Sequence, residues 1–318
     1  MELSFAPLEG IGKCTYRCLH AEYFGGADTY YSPFIAPDSS GNCKKADLRD
    51  VLPENNKGCR LIPQILANNP VAFLNVAREL EAMGYEEINL NAGCPSGTVV
   101  SKHKGAGMLA DTAQLDSFLY QVFDKCSAKI SVKTRIGIES PDEFPAILDV
   151  YGKYPISCLI IHVRTREGMY KSPPELAAFT YAGEHSSLPL CYNGNIFTID
   201  DYRRLTAEHP DIRHVMAGRG VLSNPALLRQ IKGGSALTCR ELSDFHDRYL
   251  ALSLASGLSE HFALQRMKEL WSYMSCMFPE DKRLIKAVFK SKFLPDYKSA
   301  VSALFSQGGF EPGAGFER

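Results

Sequence analysis

Glu87-Ile88-Asn89-Leu90-Asn91-Ala92-Gly93-Cys94-Pro95 is the stretch from which the rest of the chain can be read. Residues 87–91 alternate, with Ile88 and Leu90 on one side of a strand and Asn89 and Asn91 on the other. Gly93 and Pro95 end that strand, so Cys94 falls in the loop beyond its carboxyl end, where α/β proteins carry their chemistry. A thiol in that position can donate a proton. Most of the chain's ten cysteines, by contrast, read as small hydrophobes.

To either side, about eight short apolar runs alternate with helical patterns up to about residue 231. They lie near residues 5–8, 28–32, 61–66, 87–91, 130–135, 158–163, 189–192 and 214–217. The helical pattern is clearest over 69–83, where Pro70 precedes Val71, Leu74, Ala77 and Leu80 at helical spacing. Eight such units fit a (β/α)8 TIM barrel better than a doubly wound sheet. The expected organisation is an α/β chain with a catalytic barrel over residues 1–234 and a small C-terminal helical domain over 235–307, beginning after Gly233-Gly234. Residues 308–318, with Gly and Pro throughout, are expected to be disordered.

Composition narrows the functional classes. The 318 residues are 45% hydrophobic and 22% charged, and the formal net charge of -1 gives no global attraction to nucleic acid. An RNA partner therefore needs a local basic patch. Irregular cysteine spacing, no CxxC pair and no secretory leader at Met1-Glu2-Leu3 predict reduced thiols and a cytoplasmic protein. No apolar run approaches the roughly 20 residues needed to cross a bilayer, so no membrane segment is expected. No metal centre is expected either.

Cations gather at the carboxyl ends of two neighbouring strand candidates. In Ile130-Ser131-Val132-Lys133-Thr134-Arg135, Lys133 and Arg135 share a face, and in Ile161-His162-Val163-Arg164 the same period pairs His162 with Arg164. Farther on, Asn193-Gly194-Asn195 and Gly218-Arg219-Gly220 are glycine turns, each followed by a capped helix. Glycine admits close backbone approach and a helix N-terminus favours negative charge, so the pair predicts a phosphorylated cofactor. With Ala6-Pro7 closing the first strand and the Gln64 amide in the third, the set suggests FMN over a barrel mouth.

These residues resemble the dihydrouridine synthase family. The resemblance is carried by Ala6-Pro7-Leu8-Glu9-Gly10, Gln64, Asn91-Ala92-Gly93-Cys94-Pro95, Lys104-Gly105-Ala106-Gly107, Lys133-Thr134-Arg135, His162-Val163-Arg164-Thr165, Asn193-Gly194-Asn195 and Gly218-Arg219-Gly220. It implies a flavin-dependent barrel that reduces the C5–C6 double bond of uridine in tRNA, with NADPH as the electron donor. Carried over, Gln64, Lys133, His162, Asn193, Gly218 and Arg219 would hold FMN, Asn91 would meet the uracil, and Cys94 would protonate C5 while hydride reaches C6. Ala6, Pro7, Gly194 and Asn195 join the cofactor set; Arg135 and Arg164 join the substrate set. Residues 96–107, with Lys102, His103 and Lys104 and no acid, would form a mobile loop closing over a flipped base. The chain departs from the family pattern at Tyr31-Ser32-Pro33-Phe34, where many members carry a Glu, and at Ser96-Gly97-Thr98, both of which bear on substrate choice.

In the helical segment, Lys282, Arg283, Lys286 and Lys290 recur at about one-turn spacing, a stripe suited to RNA phosphates. Trp271, Tyr273 and Phe278 nearby read as core. The alternatives are ribosomal RNA as substrate, a small-molecule enzyme of the dihydropyrimidine or dihydroorotate type, and an RNA-binding protein without turnover. The presence of Cys94, Lys133 and His162 together places the last of these behind the others.

Overall fold

The period-two segments form eight strands: β1 (Glu2–Phe5), β2 (Thr29–Ile35), β3 (Leu61–Ile65), β4 (Glu87–Ala92), β5 (Lys129–Arg135), β6 (Leu159–His162), β7 (Leu190–Asn193) and β8 (His214–Ala217). In the structure, a computed structural model describing residues 1–38 and 40–316, they pair in parallel in sequence order. β8 closes on β1 through Glu2↔His214 to Phe5↔Ala217, giving the expected (β/α)8 barrel. β1 lies three residues earlier than expected. Phe5 to Leu8 are apolar enough to suggest a strand, but Pro7 has no N–H for a ladder, and Ala6 to Leu8 instead form the loop leaving the barrel top.

Alternation then sorts the side chains. Ile88, Leu90, Ile130 and Val132 point outward and pack on Phe73, Leu80, Phe118 and Leu119 of the surrounding helices. Tyr31, Ile62, Ile160, Cys191 and Met216 plug the interior with Ala6. The helix Pro70–Ala82 starts where expected because Asn69 accepts from the Ala72 N–H and Pro70 fills the first turn.

The C-terminal helices Cys239–Ala255, Glu260–Met274, Lys282–Lys290 and Leu294–Gln307 enclose Trp271, whose Nε1 donates to Tyr297 Oη at 2.8 Å. Tyr16, from the barrel's first helix, meets Phe245 and Tyr249 edge-on at 5.5 and 5.3 Å and joins the two cores. Residues 308–316 are not the free tail that composition suggested. The Gly309 N–H donates to Asp281 and the Glu311 N–H to the Met277 carbonyl, Phe310 packs on Phe278, and Phe316 is only 7% exposed against Phe197 and Tyr273. Two aromatic anchors outweigh the glycines between them. Glu317 and Arg318 lie outside the described residues.

The loop after β1 is held from beneath by Arg17. Its guanidinium, fully buried, donates to Gly12 O at 2.6 Å, Asp50 Oδ2 at 3.0 Å and Asn56 Oδ1 at 2.7 Å, while Asp50 Oδ1 accepts from the Cys14 N–H at 2.8 Å. Removing one partner leaves the other charge buried and unpaired. Asp50→Ala should therefore lower unfolding free energy by about 3–5 kcal/mol in urea titrations, and a loss below about 1 kcal/mol would contradict this account.

Candidate active site

Inward positions at the strands' carboxyl ends converge. Gln64, Asn91, Lys133, Arg135 and His162, with Pro7, Glu9, Cys94, Tyr170 and Arg219 from the loops above, line a cavity of about 250 Å3. Strand register aligns them: Asn91 sits opposite Lys133, and Arg135 opposite His162. Beneath them runs a chain of amides. Asn91 Nδ2 donates to Gln64 Oε1 at 2.8 Å, Gln64 Nε2 to Asn89 Oδ1 at 2.7 Å, and Asn89 Nδ2 to Ser131 Oγ at 3.0 Å.

Cys94 is fixed from three directions. Asn91 Oδ1 accepts from the N–H groups of Gly93 and Cys94 at 3.1 and 2.9 Å, turning the backbone at the strand end. Arg135 Nε donates to Gly93 O at 2.9 Å. From above, the Ala106 N–H donates to Cys94 O at 3.0 Å, and Gly105 (φ +57°) lies so close that an added Cβ would come within 2.8 Å of that oxygen. Burial pushes the Cys94 thiol up, with smaller downward pulls from the Ser96 N–H, Arg135 and Lys133, so it holds its proton at neutral pH.

The segment expected to be a mobile loop is folded onto Cys94. Gly97–Val100 is a short helix, Gly105–Ala110 is a 3-10 turn, and Gly105 to Leu109 are buried. Lys102 is exposed, but Lys104 donates to the Pro37 carbonyl at 3.2 Å, and burial lowers its pKa.

Charge in the cavity is lopsided. Among the described residues Lys133 forms no ion pair, and desolvation first, then the charge of Arg135, lowers its pKa to about 7. Burial holds His162 neutral, with four cations adding to the effect. The one carboxylate of the lining among the described residues, Glu9, is pushed up by burial. Such a cavity favours an anion.

Arg135 and Arg164, expected to meet substrate, serve mainly as framework. Arg135 is 1% exposed, and its Nη1 donates to the carbonyls of Thr165 (2.7 Å) and Met169 (3.1 Å), bridging the loops after β4 and β6. Arg164, also 1% exposed, donates to Ser172 O at 2.7 Å and Asn195 Oδ1 at 3.1 Å and faces His162 Nε2 at 3.3 Å, which leaves that ring's proton on Nδ1. Loop carbonyls need donors, and these two forks supply them.

The phosphate side is narrower than expected. The N-terminus of the helix Ile199–Glu208 already holds a carboxylate, since Asp201 Oδ2 accepts from the Phe197 and Thr198 N–H groups at 3.0 Å. Gly194 and Gly220 answer to packing: an added Cβ would lie 2.1 Å from Tyr192 Oη and 1.8 Å from the Ile196 carbonyl. Asn193 Nδ2 is committed to Met216 O at 2.9 Å, and Ala6 lies in the barrel interior. Gly218 remains as the start of the helix Arg219–Ser223. Arg219 donates to Asn195 Oδ1 at 3.0 Å and lies 4.3 Å over the Tyr170 ring. A second pocket of about 530 Å3 opens there between Asn195, Phe197, Tyr170, Arg219 and the chain's Gly315-Phe316.

Tyr170 and Tyr273 escaped sequence reasoning. Tyr170 belongs to an irregular loop with no period, while Tyr273 follows the buried Trp271 and looks like core until the helix is docked on the mouth. Lys282, Arg283, Lys286 and Lys290 are all exposed on their helix. Trp271 and Phe278 are fully buried.

The model of one protein family, dihydrouridine synthase, matches residues 4–291. The chain belongs to the dihydrouridine synthase family. It is 28% identical over 293 residues to the tRNA-dihydrouridine(16) synthase of Pseudomonas putida, covering 88% of this chain and 90% of that one. It is 32% identical over 225 residues to the tRNA-dihydrouridine(20a/20b) synthase [NAD(P)+] of Saccharomyces cerevisiae, covering 70% of this chain and 60% of that one. Among solved structures, a 2-naphthoyl-CoA reductase shares the fold with a TM-score of 0.58 at 12% identity, over 73% of this chain and 50% of that one. With the family come the activity and cofactors implied by the sequence: FMN-dependent reduction of uridine in tRNA with a nicotinamide donor.

The residues fit FMN, because Lys133 has no carboxylate partner among the described residues and Arg219 stands at a pocket mouth beside it. An anion bound there raises the Lys133 pKa from about 7, so above pH 7 binding takes up a proton and affinity falls as pH rises. Calorimetry of FMN binding to stripped protein at pH 8, in buffers of different ionisation enthalpy, should show uptake of up to about one proton, little at pH 6, and none for Lys133→Met. Equal uptake by the variant would remove Lys133 from the site.

Proposed function

We propose that this protein reduces a uridine of tRNA with Cys94 as the proton donor and the C-terminal helices as the RNA-docking surface. The observation that carries this is a protonated thiol, held by Asn91 and Arg135 at the edge of a cationic cavity. FMN, recharged by NAD(P)H, supplies the hydride when bound. Cys94 gives its proton to C5 as the hydride reaches C6, so the double bond gains two electrons and two hydrogens, and the thiolate regains its proton from solvent. Lys133, neutral His162, Gln64 and Arg219 hold the cofactor; Asn91 both turns the Cys94 backbone and faces the base. The stripe of Lys282, Arg283, Lys286 and Lys290 meets backbone phosphates, with Lys102 beside the mouth.

The relatives' names support tRNA over ribosomal RNA, and they name different uridines: position 16 for the Pseudomonas protein, 20a and 20b for the yeast one. The bracketed NAD(P)+ of the yeast name supports a nicotinamide donor. No helix among the described residues is long and apolar enough to cross a membrane.

Nucleoside mass spectrometry of RNA from cells with and without the gene should show one dihydrouridine lost from tRNA and none from ribosomal RNA. In vitro, Cys94→Ala should keep its flavin spectrum and lose about 10²- to 10⁴-fold in single-turnover rate. A variant turning over at the wild-type rate would end Cys94's role as the acid.

A further inference from the structure

The helix Lys282–Lys290 presents more than charge. Its apolar residues Leu284, Ile285 and Val288 turn toward the other helices, while Lys282, Lys286 and Phe289 fall on one exposed stripe at i, i+4 and i+7, flanked by Arg283 and Lys290. Phe289 is 39% exposed. Beyond the helix, Phe293 stands 69% exposed in extended backbone (φ -121°, ψ 155°), next to exposed Lys292. Lone surface aromatics are ordinary. Here two phenylalanines lie within a segment of five cations, residues 282–293, that contains no acid and makes no ion pair among the described residues.

The geometry points to Phe293, with Phe289 beside it, as a stacking platform for an unpaired base of the RNA, the lysines around it holding the flanking phosphates. This rests on the uridine-reducing activity proposed above and adds a contact that selects RNA by a splayed base. Three observations carry it. An exposed aromatic ring among cations matches how single-stranded nucleic acid is held, by stacking that any base can supply and by backbone charge. The cations are four lysines and one arginine, and lysine is depleted in protein–protein interfaces, which disfavours a protein partner. The patch is also tied to the helix that contributes to the barrel mouth. Lys268 Nζ bonds the Ser291 carbonyl at the end of this helix, and Lys268 lies five residues from Tyr273, a cavity-lining residue, or about 7.5 Å along the same helix.

The test uses full-length FMN-loaded protein and an unmodified tRNA transcript, with affinity measured across a salt series and flavin oxidation measured in single turnover. Phe293→Ala should weaken transcript binding about 5- to 100-fold without changing its salt dependence, and Phe293→Trp should restore it. Lys286→Ala with Lys290→Ala should lower the log–log salt slope by about 1.4. Phe293→Leu binding as well as wild type would replace stacking by plain apolar contact and overturn the proposal. Unchanged binding by Phe293→Ala would also overturn it while leaving the uridine-reducing activity standing. Wild-type protein that neither binds nor reduces any tRNA would instead remove the reading beneath it. Sedimentation of wild type and Phe293→Ala checks the remaining occupant, since a dimer lost in the variant would assign the patch to a second copy of the chain.

Discussion

The buried guanidinium of Arg135 is the contact on which the arrangement of the mouth depends. It donates to the Gly93 carbonyl on one side and to the carbonyls of Thr165 and Met169 on the other, so the loop bearing Cys94 and the loop bearing Tyr170 are pinned to one strand end. The loops need this. A buried carbonyl without a donor costs about 1–3 kcal/mol. Arg164 repeats the device one strand farther round, joining Ser172, His162 and Asn195.

Placing those cations beside Lys133 and Arg219 is expensive. Desolvation lowers the pKa of Arg135 to about 10 and that of Lys133 to about 7, and the like charges add to both shifts. Carboxylates could have neutralised the cluster, yet among the described residues only Glu9 lines it, and burial weakens its charge. The field is left for a ligand to satisfy, while the amide chain of Asn91, Gln64 and Asn89 keeps the floor polar and uncharged. Stability is spent locally so that an anion is drawn to one face of the barrel and a neutral thiol persists at its rim.

Strand positions, the barrel and the meeting of Lys133, His162, Asn91 and Cys94 were legible because all follow from period two and from where glycine and proline stop a strand. β1 was displaced because apolar content says nothing of a missing N–H at Pro7. The framework part of the two arginines was hidden for another reason: side-chain periodicity gives the face, but Arg135 meets loop carbonyls some thirty to forty residues away and Arg164 meets the Ser172 carbonyl and the Asn195 side chain, and neither set leaves a mark on composition. Gly194 and Gly220 look like phosphate loops, whereas their lack of a Cβ makes room for Tyr192 and the Ile196 carbonyl. Asp201 hides likewise. It reads as a good helix start, and it is one, which is why that helix end has no vacancy for a phosphate.

The path of residues 308–316 bears on access to the mouth. Gly315 and Phe316 wall the pocket that Asn195 and Arg219 open, and Phe316 is held there by Phe197 and Tyr273 rather than by any strand of the barrel. A protease that trimmed Gly315 and Phe316 would therefore widen the vestibule while leaving the strands and their cations in place.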